Sequence, residues 1–380
     1  MAFRRGKNKT ESYFDYSLLF IILFLVGFGL VMIYSASSYN ATVEMDDAMY
    51  FLIHQGGAAA VGIGAMVVVS WIPYHFWERF AVLGYIVSIF LILLVLTPLG
   101  REVNGARRWL NIGISVQPAE IAKLAMILFL ASMICKIGRK VRSTKGFCVI
   151  LGMAGVVCVL VWKITDNMSS AIIIFGIAFL MLFVASPDYK RFVTVGLAGV
   201  AGAVAVVYLI SQASTTEGMN FRGVRILAWL DPEKYADDTG FQTLQGLYAI
   251  GSGGIFGKGL GQSIQKLGYL PEEQNDMIFA VICEELGLFG AIAVILIFLL
   301  MIWRFMVIAN NAPDLFGAVV GVMGHIAIQV ILNIAVVTNT IPNTGISLPF
   351  ISYGGTSVMF LLIEMGLVMS VARRIRLKDV

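Results

Sequence analysis

The chain has 380 residues, of which 59% are hydrophobic and 13% charged, and its mean hydropathy is +0.87. Soluble domains carry roughly a quarter charged residues, so this composition excludes an ordinary soluble protein and indicates a chain that needs lipid as its solvent. The net charge of +4 lies in loops between apolar runs, which argues against a nucleic-acid-binding patch.

Apolar runs of about twenty residues, long enough to cross a hydrocarbon core as helix, recur along the chain. A β-barrel strand would instead show about ten residues of alternating polarity. We therefore expect a single all-α membrane domain over residues 1–380. Its helices, about ten in number, are predicted near residues 17–36, 52–72, 79–98, 118–135, 146–162, 170–186, 192–210, 277–303, 316–338 and 355–372. The first run is longer than a signal-peptide core, so we expect it to remain uncleaved.

Basic residues predict the orientation of these helices. Short loops on the cytoplasmic side carry an excess of Lys and Arg. With both termini cytoplasmic, one face receives most of the 27 Lys and Arg residues, including Arg4, Arg5, Lys7, Lys9, Lys136, Arg139, Lys140, Arg142, Lys145, Arg304, Arg373, Arg374, Arg376 and Lys378.

Two connections on the predicted outer side are long. The first runs from Gly100 to Gln117 and the second, between predicted helices 7 and 8, covers residues 211–276. Loops of this size are usually functional or disordered. The second has apolar residues at spacings that predict short amphipathic helices on the membrane surface, namely Trp229, Phe241, Leu244, Leu247, Tyr248 and Ile250.

Several familiar sites are not expected. The four cysteines show no paired spacing and His54, His75 and His325 are far apart in sequence, so neither a disulfide framework nor a zinc site is indicated. The glycine-rich segment 251–261 has Gly259 where a P-loop needs Ser or Thr, and no strand precedes it. Tight backbone packing is the better interpretation.

The first outer loop contains Arg107, Arg108 and Trp109. Guanidinium groups beside an indole suit an anionic headgroup at the membrane interface, although simple anchoring explains them equally well. Glu120 and Lys123 follow, three residues apart inside a helix that Pro118 begins. They can pair, and ionisable pairs inside a membrane are functional candidates by default.

Asp276 ends the second loop and precedes the eighth apolar run, three residues after the Glu272-Glu273 pair. Partial desolvation there raises a carboxylate pKa towards the range of a general base, whereas capping of the helix would lower it. Capping is therefore the structural alternative. Deeper in the helices, Glu284, Glu285 and Glu364 require polar partners.

The last outer connection, residues 342–357, is rich in Gly, Pro and hydroxyl side chains. This composition predicts a re-entrant or cavity-lining segment, with ordinary turns as the alternative.

Taken together, the motifs resemble the shape, elongation, division and sporulation (SEDS) family of membrane proteins, which includes FtsW, RodA and SpoVE. The resemblance covers nearly the whole chain. It is carried by Asp15, Tyr34 to Ser37, Gly105 to Trp109, Gln117 to Glu120 with Lys123, Asp231-Pro232, Gln245, Ala249 to Gly254, Leu270 to Glu272 with Asp276, Glu284 to Gly287 and Leu348 to Gly355.

The resemblance implies a peptidoglycan glycosyltransferase that polymerises lipid II, an undecaprenyl-pyrophosphate-linked disaccharide peptide, at the outer leaflet of the bacterial plasma membrane. It implies Asp276 as the catalytic residue. It also implies that Trp109, Glu120, Lys123 and Glu272 line the substrate site, and our candidates for contact with the pyrophosphate are Arg107 or Arg108 and Lys123. A divalent cation, Mg or Mn, is expected by analogy, and so are a class B penicillin-binding transpeptidase and other divisome proteins as partners.

Segment 343–374 resembles the division members most, which predicts a role at the septum, with elongation and sporulation roles as alternatives. One departure affects a site residue: the family often has Pro-Asp-Leu-Gly-Thr where this chain has Asp166 to Ser170. Two other functions compete with polymerisation. A lipid II flippase would also need charges inside the membrane, and a noncatalytic scaffold for the transpeptidase would not depend on Asp276.

Overall fold

The computed structural model describes residues 14–375 except 104, 112, 114, 187, 213–220 and 313–315. The basic residues Arg4, Arg5, Lys7, Lys9, Arg376 and Lys378 lie outside the described residues. Nine of the described helices are long and apolar enough to span a membrane, namely α1 (Tyr16–Met45), α2 (Tyr50–Trp71), α5 (Pro118–Ile137), α6 (Thr144–Ile164), α7 (Met168–Ala185), α8 (Tyr189–Ser211), α11 (Ile278–Asn311), α12 (Phe316–Val337) and α13 (Gly355–Ala372).

The predicted third span is shorter than expected. The structure has a short helix α3 (Tyr74–Arg79) and an apolar helix α4 (Ala81–Leu94) where the sequence predicts one helix over residues 79–98. The chain turns tightly after Leu94 and brings Gly100 against Val95. A Cβ added at Gly100 would lie 2.0 Å from the Val95 carbonyl oxygen, so this turn requires glycine. The all-helical membrane fold is confirmed, and α4 is the tenth apolar helix.

The first outer loop contains a sheet that the sequence did not predict. Strands β1 (Gly100–Val103), β2 (Ala106–Asn111) and β3 (Ser115–Val116) form an antiparallel meander in the order β1-β2-β3. Leu110 is buried on one side of β2, whereas Arg107 and Arg108 are exposed. The sheet thus presents two guanidinium groups beyond the end of the helix bundle.

The long connection between α8 and α11 contains α9 (Phe221–Leu230) and α10 (Phe241–Gly253). Trp229 lies in α9 and the other predicted apolar residues lie in α10, so the expectation of short helices in this loop is correct. Beyond α10, the glycine-rich segment lies against the break in α11 at Gly287, which has φ 67°.

Close backbone approach explains the glycines at this break. A Cβ added at Gly253 would lie 2.0 Å from the Cys283 carbonyl oxygen, and one at Gly257 would lie 2.1 Å from that of Glu285. Backbone N–H groups of Lys258 and residue 259 donate to the carbonyls of Glu284 and Glu285 at 2.9 Å. The glycine-rich segment therefore packs directly against α11.

Contacts at the helix ends place the start of α1 and the end of α13 at one face of the bundle. Asp15 caps α1 by accepting from the Leu18 N–H at 2.9 Å, and it accepts from Arg304 of α11 at 2.5 Å. The Arg373 guanidinium, just after α13, lies 5.5 Å from the ring of Phe14. This arrangement agrees with the even helix count, and the cytoplasmic assignment of that face remains a prediction.

Residues 342–354 enter the bundle instead of turning on its surface. Leu348, Phe350 and Ile351 are buried, and a Cβ at Gly29 in α1 would lie 2.4 Å from the Phe350 carbonyl oxygen. The Gln55 side chain of α2 donates to the Ser352 carbonyl at 3.3 Å. This placement agrees with a re-entrant segment.

Candidate active site

Asp276 lies at the junction between the long connection and α11. Its side chain is 9% exposed. The N-cap of α11 is Met277, which makes no side-chain capping bond. The capping alternative for Asp276 is therefore wrong, because its carboxylate accepts a hydrogen bond from Gln242 Nε2 at 3.4 Å instead.

The surroundings raise the pKa of Asp276 to about 7. Burial is the largest cause and the charge of Glu272 adds to it, whereas a hydrogen bond from the backbone N–H of Asp276 itself, the charge of Arg225 and the bond from Gln242 lower the pKa. A carboxyl with this pKa is partly ionised near neutral pH and can accept a proton there.

Side chains from three helices hold the backbone at Asp276 and in the re-entrant segment beside it. Asn333 of α12 donates through Nδ2 to the Asp276 carbonyl at 2.8 Å and to the Ile346 carbonyl at 2.7 Å. Arg225 of α9 donates to the Asn343 carbonyl at 3.3 Å, and the hydroxyl of Ser169 in α7 donates to the Thr344 carbonyl. The site therefore lies where α7, α9, α12 and the re-entrant segment meet.

The two arginines of β2, Arg107 and Arg108, differ in their electrostatic interaction with this site. Arg108 lowers the pKa of Arg225, after the larger effect of burial, and Asp276 raises it, so these three side chains are electrostatically coupled. Arg108 also donates to the Asp166 carbonyl at 3.3 Å. Arg107 immediately precedes Arg108 in the strand, and its register partner is Glu102. Of the two predicted arginines, Arg108 is the one coupled to the site.

Trp109 is partly buried in β2, opposite Arg101. Glu272 is exposed and has φ 57°, and its side chain accepts from Asn275 Nδ2. It contributes to the site through its charge. The structure therefore brings Arg108 and Glu272 within electrostatic range of Asp276, through Arg225 in the case of Arg108.

Glu120 and Lys123 form the predicted pair inside the bundle. Lys123 Nζ lies 2.8 Å from Glu120 Oε1, and both side chains are less than 10% exposed. The Ser357 hydroxyl of α13 donates to the other Glu120 oxygen at 3.3 Å. The ammonium group is thus already neutralised, and an anionic ligand would have to share it with Glu120.

Glu364 has the interior partner that its position required. His325 Nδ1 lies 2.8 Å from the carboxylate, and both side chains are 1% exposed. His325, Gln329 and Asn333 follow at intervals of four along α12, which places them on one buried face that leads towards the Asp276 backbone. This polar stripe is visible in the sequence at helical spacing, and sequence analysis treated His325 only as an isolated residue.

Glu284 and Glu285 belong to a buried charge network, where the sequence only required polar partners. Lys258 Nζ lies 2.6 Å from Glu284 Oε1, and Lys266 Nζ lies 2.7 Å from Glu285 Oε1. The Ser35 hydroxyl of α1 donates to Glu285 at 2.7 Å. These bonds fasten the glycine-rich segment to α11 and α1.

Sequence reasoning also missed Glu273. It is 1% exposed, and Asn40 near the end of α1 donates to it at 2.5 Å. Burial, together with the charges of Glu272 and Glu44, raises its pKa to about 7. Its sequence neighbour Glu272 was the predicted site residue, and no spacing signal distinguishes the two.

The departure at residues 166–170 is a helix start. Asn167 N-caps α7 by accepting from the Ser170 N–H at 3.0 Å, and Asp166 has φ 49°. The Asp166 carbonyl accepts from Arg108. In this chain the segment therefore contacts β2 through the Asp166 carbonyl and the re-entrant segment through the Ser169 hydroxyl.

Among the described residues, no group of three or more His, Cys, Asp or Glu side chains is arranged to hold a metal ion. A site built from protein ligands alone does not fit this part of the chain.

Known proteins are similar to this chain in sequence and in fold. The family model for FtsW, RodA and SpoVE proteins, described as "Cell cycle protein", matches residues 16–377. Stage V sporulation protein E of Bacillus subtilis is 40% identical over 94% of this chain and 97% of its own length. The probable peptidoglycan glycosyltransferase FtsW of Geobacter metallireducens is 36% identical over 99% of both chains.

Two solved structures extend the similarity to three dimensions. A chain from a peptidoglycan synthase complex that coordinates polymerization and crosslinking superposes with a TM-score of 0.76 at 26% identity, covering 96% of this chain and 99% of that one. The Thermus thermophilus Rod shape determining protein RodA gives a TM-score of 0.69 at 25% identity, covering 96% and 98%.

Proposed function

The chain belongs to the FtsW, RodA and SpoVE family, and from this premise we propose that it polymerises lipid II with Asp276 as the general base. The class of activity follows from its relatives: it is a peptidoglycan glycosyltransferase. One observation carries the assignment of the base. Asp276 is a buried carboxylate with a pKa raised to about 7, released from helix capping and located where four elements of the bundle meet.

The reaction needs one proton acceptor. The 4-hydroxyl oxygen of an acceptor lipid II attacks the anomeric carbon of the growing glycan, and its proton passes to Asp276. The bond from that carbon to the pyrophosphate lipid breaks, the lipid leaves with the electron pair, and the anomeric configuration inverts. A positioned base contributes on the order of 10² to 10⁴ in rate.

The leaving pyrophosphate needs positive charge near the same carboxylate. Arg225 is coupled to Asp276 and to Arg108, which supports these two arginines as the contacts on this side. Arg107 and Trp109 would meet the substrate at the exposed edge of β2, and the Glu120–Lys123 pair would meet it inside the bundle. Glu272 keeps a second negative charge beside the base. A divalent cation that arrives with the pyrophosphate is a further part of the proposal.

The proposed partner is a class B penicillin-binding transpeptidase, together with other divisome proteins. The similarity to a chain from a peptidoglycan synthase complex supports a partner synthase. The relatives named FtsW support a role in division at the septum, and the Bacillus subtilis relative keeps sporulation as the alternative. The chain is a multi-pass membrane protein.

The test uses purified protein in liposomes with labelled lipid II, with and without a transpeptidase partner. The parent protein should form glycan strands, and Asp276→Ala should lose at least about 100-fold of the rate. Asp237→Asn, which neutralises an exposed carboxylate of the same long connection, is the matched control and should polymerise normally.

Normal polymerisation by Asp276→Ala would overturn the assignment of the base. Movement of labelled lipid II between leaflets without polymer would favour the flippase alternative. Cells that survive with Asp276→Ala but not without the protein would favour the scaffold.

A further inference from the structure

A directional chain of hydrogen bonds ends on the carboxylate of Asp276. The backbone N–H of Gly345 donates to Asn343 Oδ1 at 3.0 Å, and Asn343 Nδ2 donates to Gln242 Oε1 at 2.8 Å. Gln242 Nε2 then donates to Asp276 Oδ1 at 3.4 Å and to the Pro271 carbonyl at 3.3 Å. This chain joins the re-entrant segment, α10 and the start of α11.

The direction of this chain is fixed by the backbone. A peptide N–H can only donate, so the Asn343 amide must turn its oxygen towards Gly345 and its NH₂ group towards Gln242. The Gln242 amide oxygen is thereby occupied, and its NH₂ group must face Asp276. Each amide orientation follows from its neighbour, so the donor at the carboxylate is not an arbitrary choice between O and N.

The two oxygens of Asp276 therefore differ. Oδ1 accepts from Gln242. Oδ2 faces Gly345, where an added Cβ would lie 3.8 Å away from it. Because Gly345 carries no side chain, no Cβ of this residue lies against Oδ2.

We propose that Gln242 and Asn343 are positioning residues for the transfer: they hold Asp276 by Oδ1 and direct Oδ2 at the hydroxyl of the incoming acceptor. This inference rests on the proposed function and identifies the oxygen that takes the proton. Neither residue needs to touch the substrate, because the effect passes through the carboxylate.

The backbone of the re-entrant segment at Asn343 is itself held by other elements. Arg225 donates to the Asn343 carbonyl, and Ser169 donates to the carbonyl of the next residue, Thr344. The amide of Asn343 is therefore held at a fixed distance from Gln242 by contacts from α7 and α9. A flexible loop could not determine the orientation of a carboxylate in this way.

The charged groups that act on Asp276 set the direction of the pH effect. Burial and then the charge of Glu272 raise the pKa of Asp276, whereas its own backbone N–H, the charge of Arg225 and the bond from Gln242 lower it. Removing the Gln242 donor leaves the carboxylate anion with less stabilisation, so its pKa should rise further. The acid limb of the rate profile should then move to higher pH.

The experiment compares the parent with Gln242→Met and Asn343→Asp in the liposome polymerisation assay. Met has a similar length but no donor. Asp at position 343 keeps the acceptor for Gly345 but cannot donate to Gln242. We expect kcat to fall by about 10- to 100-fold in each variant, which corresponds to the loss of a hydrogen bond to a charged group. KM should change less than threefold, and the acid limb should shift upwards.

Two further variants separate positioning from folding. Gln242→His can donate from a ring nitrogen to the same carboxylate oxygen, and it should recover most of the lost kcat. Gln262→Met makes the same substitution at an exposed glutamine in the same connection and should behave like the parent. All variants are compared as monodisperse protein with equal thermal stability.

The outcomes distinguish this inference from the proposed function. If Asp276→Ala is inactive but Gln242→Met keeps the parent's kcat and pH profile, the positioning role is wrong and the base assignment stands. A lower kcat with an unmoved pH profile and no rescue by His would show a merely structural role and would also overturn the inference. If Asp276→Ala polymerises normally, both fail.

Discussion

Replacing Lys266 by Met should destabilise the protein more than the same change at Lys258. Lys266 is 6% exposed, and it neutralises Glu285, which is fully buried. Its ammonium also donates to the Ser35 hydroxyl at 2.9 Å. In Lys266→Met, the carboxylate of Glu285 keeps the Ser35 hydroxyl but loses its counter-charge.

The size of the loss can be estimated from these contacts. Breaking a buried ion pair by removing one partner costs about 3–5 kcal/mol, because the other charge stays buried. Lys258 is 28% exposed, and Glu284 retains the Ser263 hydroxyl and the backbone N–H groups of Ile264 and Gln265. Losing Lys258 removes one charge-assisted bond among several, which costs about 1–3 kcal/mol.

Thermal unfolding of the purified variants in one detergent measures the difference. Lys266→Met should have the lowest midpoint, and the double variant Lys266→Met with Glu285→Gln should recover most of the loss, because no unpaired charge remains. Equal midpoints for Lys266→Met and Lys258→Met would refute the argument from burial. Failure of the double variant to recover would show that packing of the Lys266 side chain, not its charge, supports this region.

Three further predictions concern titration and backbone packing. Polymerisation by the parent should rise about tenfold per pH unit below 7 and level off above it, since Asp276 must be ionised and its pKa is about 7; a flat profile from pH 5.5 to 8 would contradict this. Burial raises the pKa of Glu273 from 4.5 to about 7, so its contribution to stability is present below pH 4.5 and is lost as pH rises through 7, by roughly 3 kcal/mol at most. Glu273→Gln should therefore unfold at a higher temperature than the parent at pH 8 and at a similar one at pH 5, and an equal difference at both pH values would exclude this role. Gly257→Ala should lower the unfolding temperature far more than Gly261→Ala, because both have positive φ but only the former places a Cβ near a carbonyl oxygen, 2.1 Å from that of Glu285; similar losses would show that backbone strain alone matters.

The membrane fold could be predicted because its signal is local. An apolar run of about twenty residues specifies a spanning helix wherever it occurs in a chain. The predicted third helix shows where this signal fails, because Val95 and Leu96 continue the apolar run but the chain there turns towards β1. The end of α1 shows the opposite failure. Polar residues continue that helix to Met45 and place Asn40 beside Glu273.

The candidate site could be predicted only in part, for a related reason. Asp276 and the Glu120–Lys123 pair are unusual for their local surroundings, which makes them visible in the sequence. Gln242 and Arg225 are ordinary polar residues in short helices. They become significant because α9 and α10 fold back onto the re-entrant segment and contact Asn343, which lies more than a hundred residues further along the chain. No local pattern encodes that contact.

The chemistry of Asp276 depends on where α11 begins. Capping and burial predict opposite effects on a carboxylate at this position, because helix N–H donors stabilise the anion whereas desolvation opposes it. Met277 occupies the N-cap position, and the Asp276 carbonyl accepts a hydrogen bond from Asn333. Burial then determines the balance, and the pKa rises to about 7. Had the helix begun one residue earlier, the same aspartate would be a structural cap. Because α11 begins at Ile278, Asp276 lies outside the N-cap position and is available as a base.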